Sequence, residues 1–270
     1  MYRILFFGDI VGSIGRRAVC EILPKLREQY SPDFVIANIE NLAHGRGITA
    51  KTLAELDAVN IDAYTSGNHV WENPNGLACF ANPIWAHRLA RPANILAMRP
   101  GKGLQVFDLP DRKLVIVNLM GQLFMKDDVE SPFTAIDRII QEQKAVLGEP
   151  APLFLIDFHT ETTSEKEAFG HYVDGRALAV YGTHTHVPTA DMKVLPGGTA
   201  YVTDVGRNGA HDSVVGFEKT AAVGRFLGKT LKAYDIPEHG QAEVNAVLLE
   251  VDLGAGRVVH FSRIRENIDV

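Results

Sequence analysis

Cysteine is almost absent. Two residues, Cys20 and Cys79, in a chain of 270 exclude a disulfide framework and a thiolate-held structural zinc. Both read as small buried hydrophobes, and a reducing compartment suits them. Long apolar runs are missing as well. A bilayer crossing needs about 20 such residues, whereas Ile4–Phe7 is cut short by Gly8-Asp9. That run reads as a buried first strand, and the expected setting is cytoplasmic with no membrane partner. Positive charge is in deficit, since 27 Lys and Arg stand against 33 Asp and Glu for a net charge of −6. A long polyanion therefore meets overall repulsion, and any contact with RNA must rest on local cations. Repeats, low-complexity stretches and a Pro/Gly/Ser-rich linker are lacking, so residues 1–270 read as a single domain. The dinucleotide fingerprint is also absent, because Gly8 and Gly12 stand four apart rather than two.

What remains is an ordinary globular composition, 46% hydrophobic and 22% charged. Strand-like and helix-like segments alternate. Strands are expected at Arg3–Phe7, Asp33–Ala37, Ala63–Ser66, Leu114–Asn118, Leu153–Asp157 and Leu178–Tyr181. Helical spacing marks Arg16–Gln29 and Ala135–Val146, the latter through Ile136, Ile139, Ile140 and Val146. Thr49 is placed to cap a helix over Ala50–Val59, and Ser164 with Glu167 to form a capping box on Ser164–Val173. A further helix is expected at Glu218–Leu227, and a closing hairpin at Ala242–Asp252 and Arg257–Arg265. This order predicts an α/β fold with parallel strands, arranged as two packed sheets covered by helices. Residues 72–103 and 121–133 read as surface excursions, and the apolar segments Ile84-Trp85 and Leu123-Phe124-Met125 offer a homo-oligomer interface or a substrate lid.

The chemistry-bearing residues share one placement. Asp9 ends the first strand; Glu40 and Asn41 follow the second; Asn68 and His69 follow the third; His159, and then His184 and His186, follow two later strands. Ligand sites in parallel α/β sheets lie beyond the carboxyl ends of strands. The two histidines of Gly182-Thr183-His184-Thr185-His186 are expected on one side of an extended segment. Each residue alone has an ordinary reading as a cap or solvated loop. Together they form a mixed Asp/Glu/Asn/His set suited to Mn or Fe, with Zn compatible, and too rich in nitrogen for Ca.

Gly67-Asn68-His69 and Gly182–His186 resemble the GNH and GHTH signatures of calcineurin-like metallophosphoesterases. That superfamily's Asp-x-His first motif is replaced by Asp9-Ile10-Val11, and its Gly-Asp second motif by Glu40-Asn41. Both departures resemble the YmdB-like branch. So do RGIT at 46–49, RPAN at 91–94, NLMG at 118–121, DFH at 157–159 and TSEK at 163–166. The resemblance implies a four-layer α-β-β-α sandwich and a metal-dependent phosphodiesterase acting on cyclic nucleotides, with 2′,3′-cyclic monophosphates favoured. It implies that Asp9, Glu40, Asn41 and His186 hold one metal, that Glu40 bridges, and that Asn68, His159 and His184 hold the second. A metal-bridging hydroxide would be the nucleophile, and His69 would be the proton donor rather than a ligand. His44 and His211 depart from the branch, in loops expected near the site, which puts substrate preference in doubt.

Two other readings stay open on the residues themselves. One is a phosphomonoesterase or RNA nuclease that uses the local cations Arg16-Arg17, Arg46, Arg88 and Arg91. The other is a regulatory nucleotide- or RNA-binding protein with little turnover.

Overall fold

Strand β1 (Tyr2–Phe7) alternates its side chains between two apolar environments, and this places it between layers. Leu5 and Phe7 join one buried cluster, Ile4 and Phe6 another. In the computed structural model, which describes residues 1–229 and 235–270, β1 is followed by helix α1 (Gly12–Tyr30), β2 (Phe34–Asn38), α2 (Ala50–Asp57) and β3 (Ala63–Thr65). Thr49 caps α2 through a reciprocal capping box with Thr52. The chain closes with β11 (Gln241–Asp252) and β12 (Arg257–Asp269). These build the first sheet: β1, β2 and β3 run parallel, and β11 lies antiparallel to β1 on one edge and to β12 on the other.

The second sheet contains β4 (Leu104–Asp108), β5 (Lys113–Met120), β6 (Leu153–His159), β7 (Ala179–Thr183), β8 (Lys193–Val194) and β9 (Ala200–Val202) in the order β4-β5-β6-β7-β9-β8. Its inner four strands are parallel. Helices α3 (Pro132–Leu147) and α4 (Thr163–Tyr172) are its crossovers. A short β10 (Gly209–Ala210) pairs with β11, and α5 (Lys219–Phe226) follows.

Three buried clusters separate four layers. Ile14, Val19, Leu23 and Leu26 of α1 pack on Leu5, Val35 and Leu248 of the first sheet. Ile4, Ile36 and Val247 meet Ile116, Leu155 and Tyr181 between the sheets. Ile136 and Ile139 of α3 and Phe169 of α4 cover Val117, Phe154 and Ile156 on the far side. The α-β-β-α sandwich follows from these contacts, and no helix among the described residues is long and apolar enough to cross a membrane.

Several expectations need correction. Helix α4 starts at Thr163 and its N-cap Thr162 makes no side-chain capping bond, so Ser164 and Glu167 form no capping box. Glu165 turns instead to the amides of Gln122 and Leu123 and the hydroxyl of Thr160. Val146 is 75% exposed and stands outside the apolar stripe of α3. Cys79 is buried, but Cys20 only partly so. Residues 72–103 are not merely a surface excursion: they carry a 3-10 helix, Pro74–Phe80. Trp85 is 5% exposed, with its indole N–H on Asp57, so Ile84 alone of that pair faces solvent.

At their carboxyl ends the two sheets are joined by Asp157 of β6. It accepts from Asn38 Nδ2 (2.8 Å) and Thr65 Oγ1 (2.5 Å) of the first sheet and from Thr183 Oγ1 (2.6 Å) of the second. Asp157→Ala strands three buried donors, at about 3–5 kcal/mol in total. Calorimetry should show Tm lower by roughly 10 °C; a Tm within about 2 °C of wild type would mean that the sheets do not depend on this residue.

Candidate metal centre

Five strand ends deliver the site. Asp9 lies just beyond β1, Glu40 and Asn41 beyond β2, Asn68 and His69 beyond β3, while His159 ends β6 and His184 and His186 follow β7. Ligand-capable atoms of Glu40, His159 and His184 lie within 4.8 Å of one another, and so do those of Asp9, Glu40 and His186. Glu40 belongs to both groups. Asn68 Oδ1 joins the first at 3.1 Å from His159 Nε2, and Asn41 Oδ1 the second at 3.3 Å from His186 Nε2. His69 stands aside, with Nδ1 2.6 Å from Glu72 Oε1.

Hydrogen-bond partners on the outer side of each imidazole decide what its inner side offers. Thr183 has one hydroxyl proton and donates it to Asp157, so at 2.8 Å it accepts from His159 Nδ1. His184 Nε2 lies 3.1 Å from the Glu161 carboxylate and His186 Nδ1 2.8 Å from the Val215 carbonyl; neither partner can donate. Each ring therefore keeps an N–H outward; this leaves the inner nitrogens of His184 and His186 bare, and that of His159, 3.1 Å from Glu40 Oε2, open to a proton or a cation. His184 Nδ1 and His159 Nε2 consequently face each other at 3.0 Å. Asn41 donates from its amide nitrogen to the Gly45 carbonyl, so its oxygen faces His186 Nε2, lone pair to lone pair. Asp9 Oδ1 is buried and finds no hydrogen-bond partner among the described residues. Lone pairs converging in this way repel unless positive charge lies between them, which is the arrangement outer-shell partners impose on metal ligands.

The electrostatics point the same way. Burial pushes the Asp9 carboxyl well up, with only partial relief from His159. Burial alone would raise Glu40, but the charge and hydrogen bond of His159 hold it below the carboxylate range. Burial would lower His159, yet Glu40, Asp9 and Asp157 bring it up to about 9. His184 is pushed down to about 3 by burial and by the charge of His159, and burial lowers His186 too. Two buried carboxylates demand compensation. A proton on His159 offsets one; cations offset both and take that proton's place. The donor set thus fits divalent metal ions.

The local backbone corrects one expectation. His184 (φ 97°) and His186 (φ 65°) are both in the left-handed region, not in an extended segment. What holds them there is absent from the motif. Asp204 accepts from the amide and hydroxyl of Thr185 and from Lys166 Nζ, and Lys166 also binds the Thr183 carbonyl. The Arg207 guanidinium holds the His186 carbonyl. Asp157, Thr183, Glu161, Lys166, Asp204 and Arg207 all serve the site and were missed; the DFH and TSEK stretches contained two of them, without showing the role.

A cleft of two lobes opens over the cluster. One, about 610 Å³, is lined by Asn68, His69 and His184 together with Arg46, Trp71, Arg99 and Lys126. The other, about 450 Å³, adds Val214, Val215, Phe217 and Phe226. Of the cations expected to serve the site, only Arg46 lines it. Arg16 pairs with Glu55, Arg17 binds the Glu238 carbonyl, Arg88 pairs with Asp57 and Arg91 binds the Pro92 carbonyl. His44 and His211 line neither lobe; His211 lies 3.5 Å from Glu243.

Gly67 explains why so many groups can meet. A Cβ there would sit 2.2 Å from Glu40 Oε2 and 2.3 Å from His159 Nε2. Gly67→Ala should fold yet bind less metal, read as metal per chain by elemental analysis. Thr183→Val should cost about 10–100-fold in metal affinity by freeing the His159 ring; unchanged affinity in both variants would break the ligand assignment.

Comparison with known proteins shows the family of the chain. The chain is 41% identical over 267 residues to the 2′,3′-cyclic-nucleotide 2′-phosphodiesterase of Bacillus subtilis, covering 99% of this chain and 98% of that protein. The crystal structure of a novel phosphatase from Mycoplasma pneumoniae superposes with a TM-score of 0.91 at 34% identity, over 99% of this chain and 94% of that one. An NAD nucleotidase from Haemophilus influenzae shares the fold at 13% identity and a TM-score of 0.58, with 99% of this chain matching 56% of that one. The family profile described as YmdB-like protein matches residues 5–264, and the chain belongs to that family.

Proposed function

We propose that this protein is a binuclear metal-dependent phosphodiesterase that hydrolyses nucleoside 2′,3′-cyclic monophosphates. The observation that carries the reading is Glu40, whose carboxylate is common to both ligand-capable groups. The activity named for the Bacillus subtilis relative, matched over nearly the full length of both chains, supports the substrate class.

In this reading Asp9, Asn41 and His186 hold one ion, Asn68, His159 and His184 the other, and Glu40 both. Oxygen and nitrogen donors suit Mn or Fe, with Zn compatible. When bound, such a pair lowers the pKa of water toward neutrality and offsets charge on the phosphate oxygens. The chain's own residues supply position and a proton. The cleft orients the nucleotide across the cluster. His69 borders both lobes, and Glu72 fixes its ring through Nδ1. Nε2 is then the atom that passes a proton to the departing ribose O2′ as the bond from O2′ to phosphorus breaks. An alkoxide leaves poorly, so this proton carries much of the rate, roughly 10²–10⁴-fold.

His69→Ala should retain both metals and lose turnover by that factor on cyclic nucleotides, and by less on nitrophenyl phosphodiesters, whose leaving group needs no proton. Loss of metal in that variant would make His69 a ligand. Glu40→Ala should lose both ions, and two ions retained there would exclude a bridging role. The decisive assay is hydrolysis of 2′,3′-cyclic AMP by metal-stripped protein reconstituted with Mn or Fe; a rate no higher than that of the stripped protein would overturn the proposal.

A further inference from the structure

The two lobes differ in chemistry, and the difference bears on substrate length. The lobe bounded by Val214, Val215, Phe217 and Phe226 is mostly apolar and suits one nucleobase. The other is cationic, although the chain as a whole is acidic. Arg46, Arg99 and Lys126 line it against Glu72 and Asp127. Glu72 is already engaged, through His69 at 2.6 Å and Arg46 at 3.2 Å. Neither Arg99 nor Lys126 forms an ion pair among the described residues, and Arg99 rests over the face of Trp71, 5.6 Å from the ring centroid. Solvated cations are common on surfaces, but these two border the cleft that also holds Asn68, His69 and His184. Beside them Phe124 is 87% exposed and held at φ 61°, a left-handed conformation unusual for a side chain of its size. An exposed aromatic ring next to cations outside any ion pair is the pairing that grips single-stranded nucleic acid, base on ring and phosphate on cation.

We infer that the enzyme acts on oligoribonucleotides ending in a 2′,3′-cyclic phosphate, the cationic lobe binding the nucleotide that precedes the cyclic end. Its phosphate lies on Arg99 and Lys126 and its base against Phe124. This rests on the phosphodiesterase reading above and leaves the reaction unchanged. Water adds to phosphorus, the bond from phosphorus to O2′ breaks, O2′ takes the proton, and a 3′-phosphate end remains, with no oxidant or reductant required.

The test compares kcat/KM of the metal-loaded enzyme on three substrates: adenosine 2′,3′-cyclic phosphate, its 5′-phosphorylated form, and the dinucleotide ApA ending in a 2′,3′-cyclic phosphate. The dinucleotide should exceed the mononucleotide by about tenfold or more, the equivalent of one good charged contact. The 5′-phosphorylated form should lie between them, which separates the phosphate from the base. The ratio of dinucleotide to mononucleotide should fall roughly two- to threefold per phosphate contact between 50 and 200 mM salt. In Arg99→Ala/Lys126→Ala it should fall toward one. Phe124→Ala should lower the dinucleotide rate without changing the ratio of the 5′-phosphorylated form to the mononucleotide. Equal kcat/KM for all three substrates in the wild type, or a ratio unchanged in the double variant, would overturn the inference while leaving the phosphodiesterase reading intact. Failure to hydrolyse any of the three would remove that reading itself.

Discussion

The carboxylate of Asp157 is the constraint on which the rest depends. It lies fully buried where the carboxyl ends of two sheets meet, and its partners come from both. Asn38 and Thr65 belong to strands whose next residues include Glu40, Asn41 and Asn68. Thr183 belongs to the strand that runs into His184. The same Thr183 hydroxyl that donates to Asp157 accepts from His159 and so sets which imidazole nitrogen faces inward. Sheet packing and ligand orientation are therefore one network. A shift of either sheet relative to the other would break the hydrogen bonds that select the His159 tautomer, and a broken tautomer would unseat one side of the cluster.

Charge balance follows from the same network. Four carboxylates are deeply buried near the strand ends: Asp9, Glu40, Asp157 and Asp204. Asp204 is matched by Lys166, 2.8 Å away and itself 1% exposed. Asp157 has a hydroxyl and amide cage; burial pushes its carboxyl up, and His159 and the three donors pull it back. Asp9 and Glu40 have no fixed cation, only the histidines. The protein supplies a lysine where the negative charge serves architecture and withholds one where it serves chemistry. Buried charge of that kind is met by a proton or by a cation from outside the chain. Positive charge is thereby directed to the space between Asp9 and Glu40, the edge at which His69 and both lobes converge.

Much of this was legible in the sequence. An Asp, Glu-Asn, Asn-His and His placed just after apolar runs mark strand ends, because a parallel strand buried on both faces reads as an unbroken apolar segment. Less legible was whatever depends on a partner far along the chain. The left-handed backbone of His184 and His186 is imposed by Asp204, Lys166 and Arg207, and no local spacing announces it. Ser164 and Glu167 satisfied a capping pattern, but Glu165 between them took the stronger option of two loop amides and a buried hydroxyl. Strands β8 and β10, two residues each, are too short for periodicity to reveal. Trp85, in a stretch rich in Pro and Asn, looked exposed until Asp57 provided an acceptor for its indole N–H.

The metal cluster and the cleft around it are built differently, and this separates what can vary from what cannot. Every proposed ligand ends or follows a sheet strand. The cleft walls come instead from the loops that carry Arg46, Trp71 and Arg99, from loop 121–133, and from α5 with the segment leading into it. Their apolar tips Phe124 and Phe226 are each 87% exposed and belong to none of the three cores. Side chains without a packing role can change at little cost to stability, so such walls are where a rigid scaffold places selectivity. His44 and His211 lie outside those walls. In the proposed reading, discrimination among substrates falls to Arg46, Arg99, Lys126 and the exposed rings, while the chemistry common to all of them stays with the strand ends that Asp157 ties together.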